Sequence, residues 1–258
     1  MSDPVIFVLV LVAGFFTGVL SGLFGVGGAV ISTPAILLLG ATPLQAVGST
    51  LPSIIPSSIS GTLRYARDGL VHRQVVLWTG GSGAAASAIG ALASDQIPGR
   101  GHVQMMLTAS LMGYTAWSTG RGTRSDGGPI GAPNFGRGRL LAIGGAAGIL
   151  SGFLGVGGGI MMVPAFTALV RLPLKAAIGT SLACVGIIAI PGTAAHQLLG
   201  NLNWFYAIPL MITAIPGARV GAHFAINASE RALRITVASI LGVIAVAYGT
   251  VETLQLIG

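Results

Sequence analysis

The chain has 258 residues, of which 53% are hydrophobic and 7% charged, and its mean hydropathy is +0.86. Soluble domains carry about 25% charged residues, so these residues cannot build a surface that faces water throughout, and lipid must cover most of it. The formal net charge of +7 reads as basic membrane-protein loops rather than a nucleic-acid surface, and a single cysteine, Cys184, excludes an intrachain disulfide and a cysteine-built metal cluster.

Taken along the chain, ten apolar helical segments are predicted, at 5–24, 28–40, 46–63, 75–93, 102–120, 138–154, 158–170, 177–198, 204–225 and 232–250. Met1-Ser2-Asp3-Pro4 supplies no basic region before the apolar run 5–12, so the first segment is expected to stay as a helix and not to leave as a signal peptide. Most segments approach the roughly 20 residues that span a bilayer. The segments 28–40 and 158–170 are too short and are expected to be broken or re-entrant half-helices. The polar stretch 121–139 holds Arg121, Arg124, Asp126, Arg137 and Arg139 among Gly and Pro and reads as a linker. The expected organisation is a first transmembrane repeat at 1–120, a cytoplasmic linker at 121–137 and a second repeat at 138–258.

The repeat is visible residue by residue. Ser21-Gly22-Leu23-Phe24-Gly25-Val26-Gly27-Gly28 parallels Ser151-Gly152-Phe153-Leu154-Gly155-Val156-Gly157-Gly158, and Pro34-Ala35 parallels Pro164-Ala165. One inserted residue later, Ala46-Val47-Gly48-Ser49-Thr50-Leu51 faces Ala177-Ile178-Gly179-Thr180-Ser181-Leu182. Gly61-Thr62 then faces Gly192-Thr193, Gly90-Ala91 faces Gly221-Ala222, and Arg100 faces Arg231. A register held this far indicates duplication.

Five segments per half is an odd number, so the second copy is expected to insert upside down. The basic residues agree. With ten reversals, Arg64, Arg67, Arg73, Arg121, Arg124, Arg137, Arg139, Arg171, Lys175, Arg231 and Arg234 fall on one side and Arg100 alone on the other, with Arg219 inside a segment. If the short segments did not reverse direction, Arg100, Arg171, Lys175, Arg231 and Arg234 would lie opposite the rest. The positive-inside rule favours the first arrangement, with the basic side cytoplasmic and both termini outside. Inverted repeats with short, Gly-interrupted segments at matching places point to a transport site near the midplane, here at 25–34 and 155–164.

At these residues the chain resembles the TauE/SafE family, also called the sulfite exporter or TSUP family. The likeness runs over essentially the whole length. It rests on the paired Ser-Gly-x-x-Gly-Val-Gly-Gly-x-x-x-x-x-Pro stretches at 21–34 and 151–164, on Ala-Val-Gly-Ser-Thr at 46–50 and Ala-Ile-Gly-Thr-Ser at 177–181, and on Pro216-Gly217-Ala218-Arg219-Val220-Gly221. The resemblance implies an all-α inner-membrane transporter of small sulfur-containing anions such as sulfite, thiosulfate or organosulfonates. Its expected partners are that small anionic substrate and the lipid bilayer, with no nucleic acid, no metal and no cofactor.

A helix start leaves about four backbone N–H groups unpaired and carries roughly half a positive charge. Glycine admits a ligand close to the backbone. Gly25, Gly27 and Gly28, with Gly155, Gly157 and Gly158, are therefore candidate anion-lining residues. Ser49, Thr50, Thr180 and Ser181 are candidate hydroxyl donors from the segments that follow. The competing reading of the same glycines is close helix crossing.

Arg219, the one basic residue well inside a segment, is a candidate anion ligand or a side chain that snorkels to the interface. His196 and His223 are candidate proton carriers or interfacial groups. Asp3, Asp68, Asp95, Asp126, Glu230 and Glu252 all fall in loops or at segment ends, so no buried carboxylate relay is expected.

Two rivals share some of these features. A passive anion channel would have the same fold and charge preference. An intramembrane serine protease would use Ser82 of Gly80-Gly81-Ser82-Gly83 with His196 or His223 as base, but it has no need of a duplication.

Overall fold

The computed structural model describes residues 4–94, 102–121, 136–155 and 157–257. All regular structure among them is helical. In chain order the helices are α1 (Pro4–Phe24), α2 (Ala29–Leu38), α3 (Pro43–Arg67), α4 (Arg73–Ser94), α5 (His102–Arg121), α6 (Arg137–Leu154), α7 (Gly159–Ala168), α8 (Leu174–Leu198), α9 (Trp204–Asn227) and α10 (Glu230–Ile257). Each predicted segment finds its helix. Of the predicted linker, residues 122–135 lie outside the described residues, as do Asp95, Arg100 and the Arg100–Arg231 correspondence.

Boundaries shift where capping decides them. α3 begins at Pro43 rather than at 46 because Thr42 and Gln45 form a capping box: Gln45 N–H donates to Thr42 Oγ1 (3.3 Å) and Thr42 N–H to Gln45 Oε1 (3.4 Å). α8 begins at Leu174, directly after Pro173. Ser49, Thr50, Thr180 and Ser181 therefore sit in the second turns of α3 and α8, not at their starts. Proline lies inside α2, α3, α7, α8 and α9, which packed membrane helices tolerate.

α1, α4, α8 and α9 are long and apolar enough to cross a membrane. α3 has 25 residues but turns hydroxyls inward, with Ser49, Thr50, Ser53, Ser57 and Ser60 buried and Ile59 and Leu63 exposed. α2 and α7, at 10 residues each, reach about 15 Å, half the ~30 Å hydrocarbon core. They are half-helices.

Packing registers give each helix a direction. Gly14, Gly18 and Gly22 of α1 lie against Leu210, Ala214 and Ala218 of α9, so these two run parallel. α3 runs with α9, because Asn203 N–H donates to Ser49 Oγ (2.8 Å) and Ser60 O–H to Ile215 O (2.9 Å). In the same way Thr79, Gly83 and Ser87 of α4 meet Gly144, Gly148 and Gly152 of α6, and Gly80, Gly83 and Ser87 meet Cys184, Ile188 and Gly192 of α8. α3 and α8 cross in opposite directions, Leu51 at Gly192, Gly61 at Leu182 and Tyr65 at Gly179. α5 and α10 are also antiparallel, with Gly113 near Ala245 and Gly120 near Ala238.

The bundle thus has two groups: α1, α3 and α9 run one way, and α4, α6 and α8 run the other. Each group draws helices from both halves of the sequence, so the halves interleave and do not sit side by side. Small residues make this possible. A Cβ at Gly18 or Gly22 would collide with backbone of α9, and one at Gly148 or Gly152 with backbone of α4.

The same directions gather charge. Arg64 and Arg67 end α3, Arg73, Arg137, Arg139 and Lys175 begin α4, α6 and α8, Arg171 precedes α8, and Arg231 and Arg234 follow α9. All of these lie at one end of the bundle. Lys175 Nζ donates to Ile226 O (2.6 Å), Arg139 Nη1 to Leu169 O (3.1 Å), and Arg137 stacks over Trp78 at 5.2 Å.

Candidate functional site

The two glycine turns meet at the centre. Gly25, Gly27 and Gly28 have φ of 70°, 87° and 76°, and Gly155, Gly157 and Gly158 have φ of 69°, 85° and 66°. An L side chain is strained at such angles, so both turns need glycine for conformation alone. Ile31 N–H donates to Gly28 O (3.2 Å) and Met161 N–H to Gly158 O (3.2 Å), which marks where each helical ladder begins. The first-turn amides before those points have no acceptor within their own helix.

Gly27 and Gly157 share the same two neighbours. A Cβ on Gly27 would lie 2.7 Å from Val185 and 3.2 Å from Ile54, and one on Gly157 would lie 3.0 Å from Val185 and 3.1 Å from both Ile54 and Val26 O. Ile54 and Val185 occupy the middles of α3 and α8 and are fully buried. They are equivalent residues of the two repeats, and the register across the duplication carries enough signal to find them. From this shared centre α2 runs to the start of α3 and α7 to the start of α8. Because α3 and α8 start at opposite ends, the N-termini of α2 and α7 face each other. Gly159, the first residue of α7, lies directly on the backbone of Gly25 and Val26.

The glycines differ in what confines them. Gly25 and Gly155 press on Ile178 and Val47, again equivalent residues, while Gly28 and Gly158 press on the carbonyls of Thr17 and Ala147. These four are fixed by backbone contact. Gly27 faces only side chains, which can swing away, and Gly157 faces the same two side chains together with Val26 O.

Of the predicted hydroxyls, Ser181 reaches the turns, donating to Gly25 O (2.8 Å). Its equivalent Thr50 turns instead to Val47 O (3.1 Å) and to Thr33 Oγ1 (3.3 Å). Ser49 and Thr180 are placed elsewhere. Each accepts from the residue preceding a helix of the other half: Asn203 N–H to Ser49 Oγ (2.8 Å) and His72 N–H to Thr180 Oγ1 (3.1 Å). They brace the entrances to α9 and α4.

Arg219 is exposed on α9, while its neighbours Gly217, Ala218, Gly221 and Ala222 are buried in the contact with α1 and α3. Arg219 lies off the small-residue seam, and the residues that crowd the glycine turns are Ile54, Val185, Ile178, Val47, Thr17 and Ala147. His223 is also exposed and lies beside Asn227. His196 is fully buried, its Nε2 2.9 Å from Gly152 O. The single Ser82 O–H has the carbonyls of Trp78, Thr79 and Leu141 as acceptors within reach (3.0, 3.3 and 3.1 Å), an arrangement that ties α4 to α6 and offers the hydroxyl carbonyls in place of a base.

Comparison with known proteins agrees with this architecture. A profile of the family described as Sulfite exporter TauE/SafE matches residues 10–248. The probable membrane transporter protein YunE of Bacillus subtilis is 29% identical, over 84% of this chain and 87% of its own length. YjnA of the same organism, also described as a probable membrane transporter protein, is 26% identical over 91% of this chain and 96% of its own. The probable membrane transporter protein MJ0441 of Methanocaldococcus jannaschii is 25% identical over 91% and 92%. No solved structure matches. The chain is a multi-pass all-α membrane protein of a transporter family and not an enzyme, and it belongs to the sulfite exporter TauE/SafE family.

Proposed function

We propose that this protein is a secondary transporter that moves a small sulfur-containing anion, such as sulfite, thiosulfate or an organosulfonate, across the inner membrane of a bacterial cell, with both termini outside. The observation that carries this reading is the meeting of the α2 and α7 N-termini at two left-handed glycine turns. Two facing helix starts each carry about half a positive charge and repel one another. An anion between them removes the repulsion and accepts hydrogen bonds from first-turn amides, with no lysine or arginine required. The family supports a sulfur oxyanion, whose several oxygens suit donors arriving from opposite sides.

The two repeats, 1–120 and 138–258 joined by 121–137, are read as oppositely inserted. What supports this is that the equivalent helices α3 and α8 are antiparallel, as are α5 and α10, and that the arginines gather at one end, read as cytoplasmic. The moving bodies in alternating access are then not the sequence halves. They are the mixed groups of α1, α2, α3 and α9 against α4, α6, α7 and α8. Ile54 and Val185 cover Gly27 and Gly157 from the two groups, so parting the groups uncovers the amides. A closed apolar cover of this kind favours a carrier over an open channel.

The test is anion flux in proteoliposomes with sulfite, thiosulfate and a small organosulfonate. Saturable flux with counterflow is expected, abolished by Gly27→Leu or Gly157→Leu while the protein still inserts. Normal flux in both variants overturns the site.

A further inference from the structure

The two repeats differ beside their glycine turns. Gly28 lies against Thr17 of α1, whose Cγ2 would be 2.7 Å from a Cβ there, and Gly158 lies against Ala147 of α6. Thr17 and Ala147 are equivalent residues, as are Ser32 of α2 and Met162 of α7. In the second repeat this place is apolar: Ala147 and Met162 are fully buried in one core with Leu140 and Ile143 of α6. In the first repeat it carries two hydroxyls. Thr17 and Ser32 are fully buried, and neither Thr17 Oγ1 nor Ser32 Oγ has a hydrogen-bond partner among the described residues. Thr33, the next residue, differs, because its hydroxyl meets Thr50 Oγ1 at 3.3 Å. Ser21 and Ser151, one turn on from Thr17 and Ala147, lack a partner in both repeats and so do not set the two sides apart.

Both hydroxyls belong to the start of α2. Ser32 follows Gly28 by one helical turn, and a helical side chain leans back over the turn before it. Ser32 therefore covers the turn that opens at Gly28, where Thr17 packs. The same turn supplies the first amides of α2, which have no acceptor within the helix. A buried hydroxyl left without a partner destabilises a fold, and Ala147 with Met162 shows that the place accepts an apolar pair. We propose that Thr17 and Ser32 donate to one oxygen of the transported anion, which is thereby held off-centre, nearer α2 than α7. This takes the anion site between the glycine turns as read above and adds the side chains that reach it.

The donor set is one-sided. α2 offers its first amides and two hydroxyls. α7 offers its first amides beside Ala147 and Met162, and Ser181, the hydroxyl of α8 that reaches the turns, is engaged with Gly25 O at 2.8 Å. The fitting occupant is an acceptor with several oxygens, one of them placed at Thr17 and Ser32 while others meet the amides of α7. A sulfur oxyanion has those oxygens, whereas a halide offers a single atom. A site built around such donors rejects an anion that leaves them unpaired, so the preference for an oxyanion over a halide resides in Thr17 and Ser32.

The test uses the full chain in lipid nanodiscs. Binding of sulfite, thiosulfate and methanesulfonate is measured by titration calorimetry, with chloride as competitor, beside thermal unfolding of the anion-free protein. Thr17→Val and Ser32→Ala remove one hydroxyl each. Each should weaken binding of the tightest of the three oxyanions roughly 10-fold and lower its preference over chloride by the same factor. Thermal unfolding should stay unchanged or rise, because an unpartnered polar group is lost. Should Thr17→Val not insert, Thr17→Ala with Ser32→Met, the pair that packs in the second repeat, serves the same comparison. Unchanged oxyanion affinity overturns the assignment, and so does an equal loss for chloride. Lowered stability with affinity kept also overturns it and gives the two hydroxyls a buried water instead. If Gly27→Leu abolishes binding while the hydroxyl variants bind normally, the anion site stands and Thr17 and Ser32 leave it. Unsubstituted protein that binds none of the three oxyanions removes both.

Discussion

A glycine at φ 87° and a serine that accepts from a neighbouring amide look alike as candidate site residues, yet they answer different physical demands. Ser49 and Thr180 each satisfy one half-buried N–H at the entrance to a helix of the other half. Ser49→Ala or Thr180→Ala should lower stability by about 0.5–1.5 kcal/mol, read as thermal unfolding in detergent. Anion affinity of the folded fraction should be unchanged, and a loss of affinity without loss of stability would return these residues to the binding site. Arg219 gives the complementary case. Exposed on α9, Arg219→Gln should leave anion affinity as it is, and a ten-fold loss would show that the guanidinium reaches the anion after all.

The paired glycine turns were legible because the duplication repeats them letter for letter. The sequence left Arg219 between anion ligand and snorkelling side chain, because the stripe of Ala214, Gly217, Ala218, Gly221 and Ala222 that it lies off gains meaning only once α1 is known to pack there. The partners of Ser49 and Thr180 could not be read at all. Asn203 and His72 are distant in sequence, and only the interleaving of the halves brings them there.

At the scale of elements, close approach of glycine faces holds each of the two groups together. Along α6 the prediction separates faces of a single helix. Gly148 lies against Gly83 of α4, whereas a Cβ at Gly145 would meet nothing within 4 Å. Gly148→Ala forces α4 and α6 apart and should cost about 1–3 kcal/mol. Gly145→Ala should be neutral or stabilise by up to about 1 kcal/mol through helix propensity. Equal effects of the two on thermal unfolding would mean that the α4–α6 seam does not carry stability. The helix limits that the apolar pattern gave were within four residues except at the end of α10, expected at 250 and found at Ile257, and they missed where capping acts. Thr42 and Gln45 form a capping box whose sequence pattern was visible ahead of α3. The half-length of α2 and α7 was visible too, but their meeting head to head was an inference from symmetry and needed the registers of α3 and α8.

For the whole molecule, each group of parallel helices draws on both halves of the sequence, and in the proposed transport cycle these mixed groups are the units that move. The proposed orientation puts the arginine-rich end in the cytoplasm. Leu38→Cys and Leu198→Cys, on residues 83% and 88% exposed at the far end, should label from outside intact cells. Arg67→Cys and Arg171→Cys should label only after the membrane is opened. The reverse pattern would invert the protein, and Leu38→Cys and Leu198→Cys reporting from opposite sides would remove the inverted repeat. The central claim, an anion held between facing helix starts, is tested most directly by anomalous X-ray scattering from protein bound to selenite, the heavier analogue of sulfite. The account predicts a single peak between 25–28 and 155–158, within hydrogen-bond reach of the first amides of α2 and α7. A peak beside Arg219, or transport-competent protein with no peak between the two turns at saturating selenite, would contradict it.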